Sequence, residues 1–567
     1  MAHRENELAV YACDNEKNDK QSRINDSATS STSSHGEIDS GNSRIPDINS
    51  STYMTGWRLQ VATIALCLSL LLSSVETTII STSLVNISNA FNAFDRSSWI
   101  VTAYLLTYTG FLLIIAKLSD IFGRKSMILF TLATFTVFSI ACGLAQSVIQ
   151  LIVFRALQGI GGGGIFTMVF AILPEMVPPS GYALYSTILS SVFALSNLLG
   201  PVLGGVINNH TTWRWIFYLN APAGAVTFAL LVLAIPANFP QPQAETKAPR
   251  SVALVIHSLK KIDFLGTLLL LAASVLLVTA LQETGTEYPW RSVFVIALLT
   301  ISGILWIGFL LWERFLSQRG SRQEPMLPWR LVKNRIFMGV VLSTFFFGLP
   351  FLAVVINLPQ KFQFVDGTSP LGAGLRLLAL VLSTPVASGI AGFLMQKLKI
   401  PPLYNLLCGG ILLTIGLALM STITPTNQSV SAAEYGYEVV VGLGLGFGLS
   451  TVIMAVPMLV ERSDVAVAMG TIAQARMLGG TIGLAICTTI LNSRIESDLS
   501  SILSPAQLAG LLQSSRVLQE LEPQQRDIAK RVYEDSFDQQ MRVLVAFGAA
   551  TLLSSLIMLE KKPRRME

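Results

Sequence analysis

Apolar stretches of about twenty residues recur along the chain between short polar loops, each long enough at about 1.5 Å per residue to cross a hydrocarbon core of about 30 Å. Runs of that length predict helices, not a barrel. We read fourteen spans, over residues 59–81, 99–116, 127–145, 151–173, 184–207, 215–235, 264–281, 293–312, 337–358, 372–395, 403–420, 437–459, 469–491 and 543–559. An even number puts both termini on one side of the membrane.

Residues 1–56 break the pattern. They are rich in Ser, Asn and Asp and hold no apolar run, which predicts a disordered cytoplasmic tail with span 1 acting as an uncleaved signal anchor. The short loops carry roughly twenty Lys and Arg on the side of the termini and about four on the other, so both termini are expected in the cytoplasm. The basic clusters include Lys117, Arg124 and Lys125 after span 2, Lys260 and Lys261 before span 7, the segment from Arg314 to Arg335, and Lys561, Lys562, Arg564 and Arg565. The sequons at Asn86, Asn209 and Asn427 fall in loops expected outside and are candidate glycosylation sites. Those at Asn25 and Asn49 are cytoplasmic on this reading and unused.

Composition narrows the class. The 567 residues are 51% hydrophobic and 13% charged, with a mean hydropathy of +0.58, beyond what a water-soluble fold tolerates. The net charge of +5 follows from the topology and implies no nucleic-acid partner. Cys67, Cys142, Cys408 and Cys487 lie inside spans and Cys13 in the tail, so neither a disulfide framework nor a metal site is implied. His3, His35, His210 and His257 all lie outside the spans, against a membrane haem or di-iron enzyme. No phosphate-binding G-x-x-x-x-G-K-[ST] is present, so no nucleotide is expected, and for want of a metal-ligand cluster or nucleophile constellation the chain reads as a non-enzyme with no cofactor or metal.

Residues 159–205 and 442–483 read alike: a glycine-rich helix, a Pro/Glu turn, then a helix ending in small residues. That weak repeat pairs spans 4 and 5 with spans 12 and 13 and predicts two six-helix halves with an inserted helix pair. The expected domains are the tail 1–56, an N-terminal half 57–236, the inserted pair with its linkers 237–335, and a C-terminal half 336–560. The last includes a long external loop 492–540, expected to be partly helical, and a basic tail 561–567 closes the chain. The expected fold class is thus an all-α membrane protein of fourteen transmembrane helices.

Four stretches carry candidate chemistry. Glu76, in "SSVETTIISTS" of span 1, is the acid read near the middle of a span; a carboxylate there either loads and releases protons or pairs with a buried arginine. Arg155, in "RALQGIGGGG" of span 4, needs an acidic partner, a wet cavity, or a snorkel to the nearby outer interface. With Gln158 one turn on and Arg476 in span 13, these residues form the candidate proton- and substrate-coupling set. In "AKLSDIFGRK", Lys117, Asp120, Gly123, Arg124 and Lys125 place one acid among three bases around a tight turn, which reads as a positive-inside loop or a breakable latch between helices. In "SNLLGPVLGGV", Gly200, Gly204 and Gly205 form a packing stripe and Pro201 permits a bend, which together read as a hinge at the rocking interface.

Together with "WRWIFYLNAP" at the start of span 6, these stretches resemble the major facilitator superfamily, and within it the fourteen-spanner drug/proton antiporters of fungi. Departures are Ala116 for the leading glycine of the loop motif, Ser196 for the first glycine of the span 5 motif, and Glu76 where aspartate is usual. The resemblance implies the two-half fold, proton-driven efflux of drugs, toxins or secondary metabolites, residence in the plasma membrane (alternatively a vacuolar or vesicle membrane), and a coupling role for Arg155. The expected partners are a small organic substrate, protons and the lipid bilayer. A siderophore or basic amino-acid carrier of a neighbouring fourteen-span family, and a non-transporting nutrient receptor on the same fold, are the alternatives.

Overall fold

The computed structural model describes residues 53–560 apart from 81–82, 84–86, 88–89, 92–96, 237–238, 240–262, 285–287, 320–322, 324, 369, 423–431, 462–463, 514–517 and 519–520. The expectations for the tail before residue 53, the basic tail 561–567, Asn86 and Asn427 lie outside the described residues.

The first six long helices are α1 (Gly56–Ile79), α2 (Ser97–Phe122), α3 (Arg124–Leu144), α4 (Val148–Met176), α5 (Tyr182–His210) and α6 (Trp215–Ala234). Next come α7 (Phe264–Glu283) and α8 (Val293–Arg319). The last six are α9 (Arg335–Phe364), α10 (Leu378–Gln396), α11 (Pro402–Met420), α12 (Ala432–Leu459), α13 (Val465–Leu499) and α14 (Pro523–Ser555). Among the described residues thirteen segments are long and apolar enough to cross a membrane, and α5, 29 residues long, fills the remaining place in the predicted order.

Local sequence sets the helix ends. Ser147 caps α4 by accepting from the Gln150 amide, Asp263 caps α7 through the Gly266 amide, and Asn334 caps α9 through the amides of Ile336 and Phe337. Gly123 joins α2 to α3 at φ +87° and ψ 150°, a conformation essentially reserved for glycine. The end of the bundle that carries this turn is called the latch end below.

Packing follows the predicted repeat. In the first six helices α1 lies on α5 and α6, while α2 and α3 lie on α4; in the last six α9 lies on α13 and α14, while α10 and α11 lie on α12. The pair α7 and α8 pack on each other, and α7 also touches α2 and α13, one helix from each set of six. The α8 face bearing Val293, Ile296, Ile304, Ile307 and Leu311 is exposed, as lipid-facing residues are.

Three expectations change. The segment 492–540 is mostly helix, because α13 runs on to Leu499, a short helix spans Pro505–Gln513, and α14 begins at Pro523. Its polar turns cover a small core of their own around Ile495, Leu499, Leu511, Leu521 and Tyr533. Asn209 lies in the last turn of α5, not in a loop. Glu76 is joined by further acids inside the spans, since Glu313 of α8 and Glu438 of α12 are both fully buried.

Candidate functional site

A buried polar network ties the first six helices together. Glu76 on α1 and Arg155 on α4, each 1% exposed, form an ion pair at 2.5 Å. Asn220 on α6 donates to the second carboxylate oxygen at 2.7 Å. Arg155 also donates to Gln158 Oε1 at 2.8 Å and to the Ile100 carbonyl of α2 at 3.2 Å, and its guanidinium lies over the Tyr104 ring at 4.2 Å. Gln158 Nε2 donates to Ser139 Oγ of α3 at 2.6 Å. Five helices thus contribute to one cluster, and Glu76 receives only donors, as an ionised carboxylate requires.

Arg155 therefore does not snorkel to an interface: its charge is matched in place. Sequence reasoning found Glu76, Arg155 and Gln158 but missed Asn220, Ser139 and Tyr104. The available signal for Asn220 was a carboxamide just inside an apolar span after a Trp-rich turn.

At the latch end, Arg124 donates to Asp120 at 2.6 Å and to Ser119 at 2.5 Å, and forks onto Glu175 of α4 at 2.8–3.0 Å. Lys125 caps the end of α6 by donating to the Val232 and Ile235 carbonyls. Buried Lys117 interacts electrostatically with Glu313 of α8, whose carboxylate holds the Met326 and Leu327 amides at 3.1 and 3.2 Å. Of the predicted latch residues Asp120 and Arg124 bond to each other, Glu175 completes their cluster, and every Arg124 partner lies on the first six helices. The turn braces one half.

Contact between the two sets of six is made elsewhere. Ala116 of α2 meets Gly470 of α13, where an added Cβ would sit 2.8 Å from that of Ala116, and Ala183 of α5 meets Gly392 of α10 with no room for a side chain. Ser186 and Ser450 hydroxyls lie 3.4 Å apart across the same seam. Gly200 does not belong to it: Gly200 packs α5 onto Thr78 of α1, within the first half, so the predicted rocking stripe is displaced toward the latch end. Gly204 is buried and Gly205 half-buried, and Pro201 lies within the α5 helix.

Between the halves lies a central cavity of about 30 Å³ lined by Ser190, Phe193, Phe351, Thr384, Leu445 and Arg476, among others. Ligand pockets for drug-sized molecules occupy ~300–1,000 Å³, so this conformation is contracted. Arg476 is 6% exposed and stands over the rings of Phe166, Phe193 and Phe351 at 4.9, 5.4 and 5.8 Å. An aromatic file connects the two arginines: Tyr104 to Tyr108 at 5.7 Å between centroids, then Tyr108 to Phe166 at 6.2 Å.

The last six helices hold their own ion pair, Lys361 of α9 to Glu434 of α12 at 2.7 Å. Beside the seam Arg330 forks onto Asp464, the first residue before α13, at 2.7 and 2.8 Å, and that hydrogen bonding raises the Arg330 pKa. Among the described residues no group of three His, Cys, Asp or Glu side chains is arranged to hold a metal ion.

Comparison with known proteins places this geometry. The family profile described as Major Facilitator Superfamily matches residues 66–284. The chain is 46% identical over 553 residues to the MFS-type transporter FPY5 of Fusarium mangiferae, covering 95% of this chain and 91% of that one. It is 31% identical over 462 residues to the aspyridones efflux protein of Neocamarosporium betae, covering 81% and 79%. Among solved structures, a bacterial homologue of the human lysosomal transporter Spinster superposes with a TM-score of 0.56 at 15% identity, over 89% of this chain and 98% of that one.

Proposed function

Because this chain belongs to the major facilitator superfamily and is a multi-pass membrane transporter, we propose that it is a proton-coupled antiporter exporting small organic molecules from the cytoplasm. The relative named for aspyridones efflux supports the export direction. The Lys- and Arg-rich loops support a cytoplasmic position for the latch end and both termini, and the plasma membrane is the expected location.

One observation carries the coupling: a fully buried carboxylate whose matched cation sits on another helix, Glu76 on Arg155. Protonation of Glu76 removes its charge and leaves Arg155 buried without a counter-ion, which a membrane interior tolerates poorly. The neutralised state therefore favours a different packing of α1 on α4. Tyr104, lying over Arg155 and next to Tyr108, transmits that change toward Phe166 and the cavity. Substrate occupies the central cavity once the halves part, and the braced half moves as a body.

One proton crossing 100 mV supplies about 2.3 kcal/mol, enough for a roughly fifty-fold concentration ratio. The test is efflux in everted vesicles driven by an imposed pH gradient, screened with amphiphilic toxins and dyes. Glu76→Gln, which keeps the shape and the Asn220 contact, is expected to express and fold but to lose gradient-driven transport. Normal proton-driven transport by that variant would remove Glu76 from the mechanism.

A further inference from the structure

Two of the buried arginines, Arg155 and Arg476, are treated differently by the protein. Arg155 has Glu76, Gln158 and a backbone carbonyl as partners. Arg476 has none: among the described residues no carboxylate lies within ion-pair distance of it, and its buried Nε meets no acceptor. Its surroundings are the faces of Phe166 on α4, Phe193 on α5 and Phe351 on α9, with Tyr108 of α2 as the nearby titratable group. Ring faces attract a cation but accept no hydrogen bond in the guanidinium plane, so the donor edge of Arg476 is left unanswered.

Arg476 is also a wall residue of the central cavity, together with Ser190 and Thr384, and the remaining wall is Phe, Leu and Val. Phe193 and Phe351, one from each half, stack at 5.7 Å with 21° between their planes, forming a closed pair of flat surfaces beside the guanidinium. An uncompensated buried cation is costly, and such a cost persists where a ligand supplies the missing charge. A guanidinium fork selects paired oxygens, and parallel rings select a flat conjugated frame.

We propose that the transported substrate is an organic anion: a conjugated or aromatic acid whose carboxylate, enolate or phenolate oxygens engage Arg476, with its ring system entering between Phe193 and Phe351. This deepens, and rests on, the reading of the chain as an efflux transporter with a central substrate site. It has an electrical consequence. Export of a monovalent anion in exchange for one proton moves two charges in the same sense, so transport responds to membrane potential, whereas exchange of a monovalent cation for a proton is electroneutral.

The test is equilibrium binding to the purified full-length chain without any gradient, which separates it from coupling. Fluorescein anisotropy is the probe, and 1-naphthoate and its methyl ester, the same ring with and without charge, are also measured directly by calorimetry. Naphthoate is expected to bind, and the ester about ten- to hundredfold more weakly, as for loss of a charge-assisted pair. Arg476→Gln is expected to abolish that difference and Arg476→Lys to retain part of it; the wild-type comparison stands even where a variant misfolds. Equal binding of acid and ester, preference for the cationic dye ethidium, or no binding of either anion overturns the proposal. Anion binding without proton-driven efflux would sink the antiport reading and leave this one standing.

Discussion

The Glu76–Arg155 pair shows how a single-residue reading and a structural one divide the work. Each charge stands out alone, because an ionised group within an apolar run is expensive and must have a reason. Their pairing does not show, because they lie 79 residues apart and no spacing rule links α1 to α4. Asn220, 144 residues from Glu76, is less legible still, since a neutral amide in a span is common and carries no charge to flag it. The physics of a matched buried pair yields a prediction that a functional assay alone cannot give. Arg155→Met, which strands the carboxylate, is expected to destabilise the protein by about 3–5 kcal/mol, and Glu76→Met similarly strands the cation. The double variant Glu76→Met with Arg155→Met is expected to unfold at a higher temperature than either single one, because no charge remains uncompensated. Thermal unfolding in detergent, followed by tryptophan fluorescence, reads this directly; additive losses would mean that the two charges are not coupled in the folded protein.

Among elements, hydropathy located the membrane segments well and their true ends poorly. The last turns of α13 read "NSRIESDL" and the first turns of α14 "PQQRDIAKRVYEDSFDQQ", polar sequence in which a membrane criterion stops although the helix does not. These turns bury Ile495, Leu499 and Tyr533 against one another, a water-soluble amphipathic pattern appended to a membrane helix. The turn between α2 and α3 was readable for the opposite reason: a glycine between a helix-ending acid and two bases leaves few alternatives. What that motif could not reveal was Glu175, which comes from the far end of α4. Gly123→Ala is expected to cost roughly 1–3 kcal/mol, since φ +87° with ψ 150° is a region that a side chain strains to occupy. The loss should appear both as a lower unfolding temperature and as reduced transport, because the same turn aims Arg124 at Asp120 and Glu175. A variant as stable as the wild type would show that the turn relaxes without glycine.

At the scale of the whole molecule, alternating access needs two stiff halves and a seam between them that separates without stranding charge. Each half has an internal ion pair on repeat-related helices, Glu76–Arg155 joining α1 to α4 and Lys361–Glu434 joining α9 to α12, with acid and base exchanged. The seam at the latch end is built differently, from Ala116 against Gly470, Ala183 against Gly392 and a serine pair at 3.4 Å. Small residues bring helices close through dispersion and backbone contact, which can be broken at modest cost. The repeat made two halves legible from the sequence, but not which end is shut, because one sequence must serve both states. The contact itself supplies the test. In a background with Cys13→Ser and Cys408→Ser, paired substitutions Ala116→Cys and Gly470→Cys place two sulfurs on carbons that need to relax apart only slightly, to ~3.5–4.5 Å, for a disulfide. Oxidation is expected to link the halves, detected by gel mobility after cleavage at a protease site inserted between α6 and α7, and to stop efflux; dithiothreitol is expected to restore it. Full cross-linking with undiminished efflux would mean that this contact never opens, and the moving seam would have to be sought at the other end of α2 and α13.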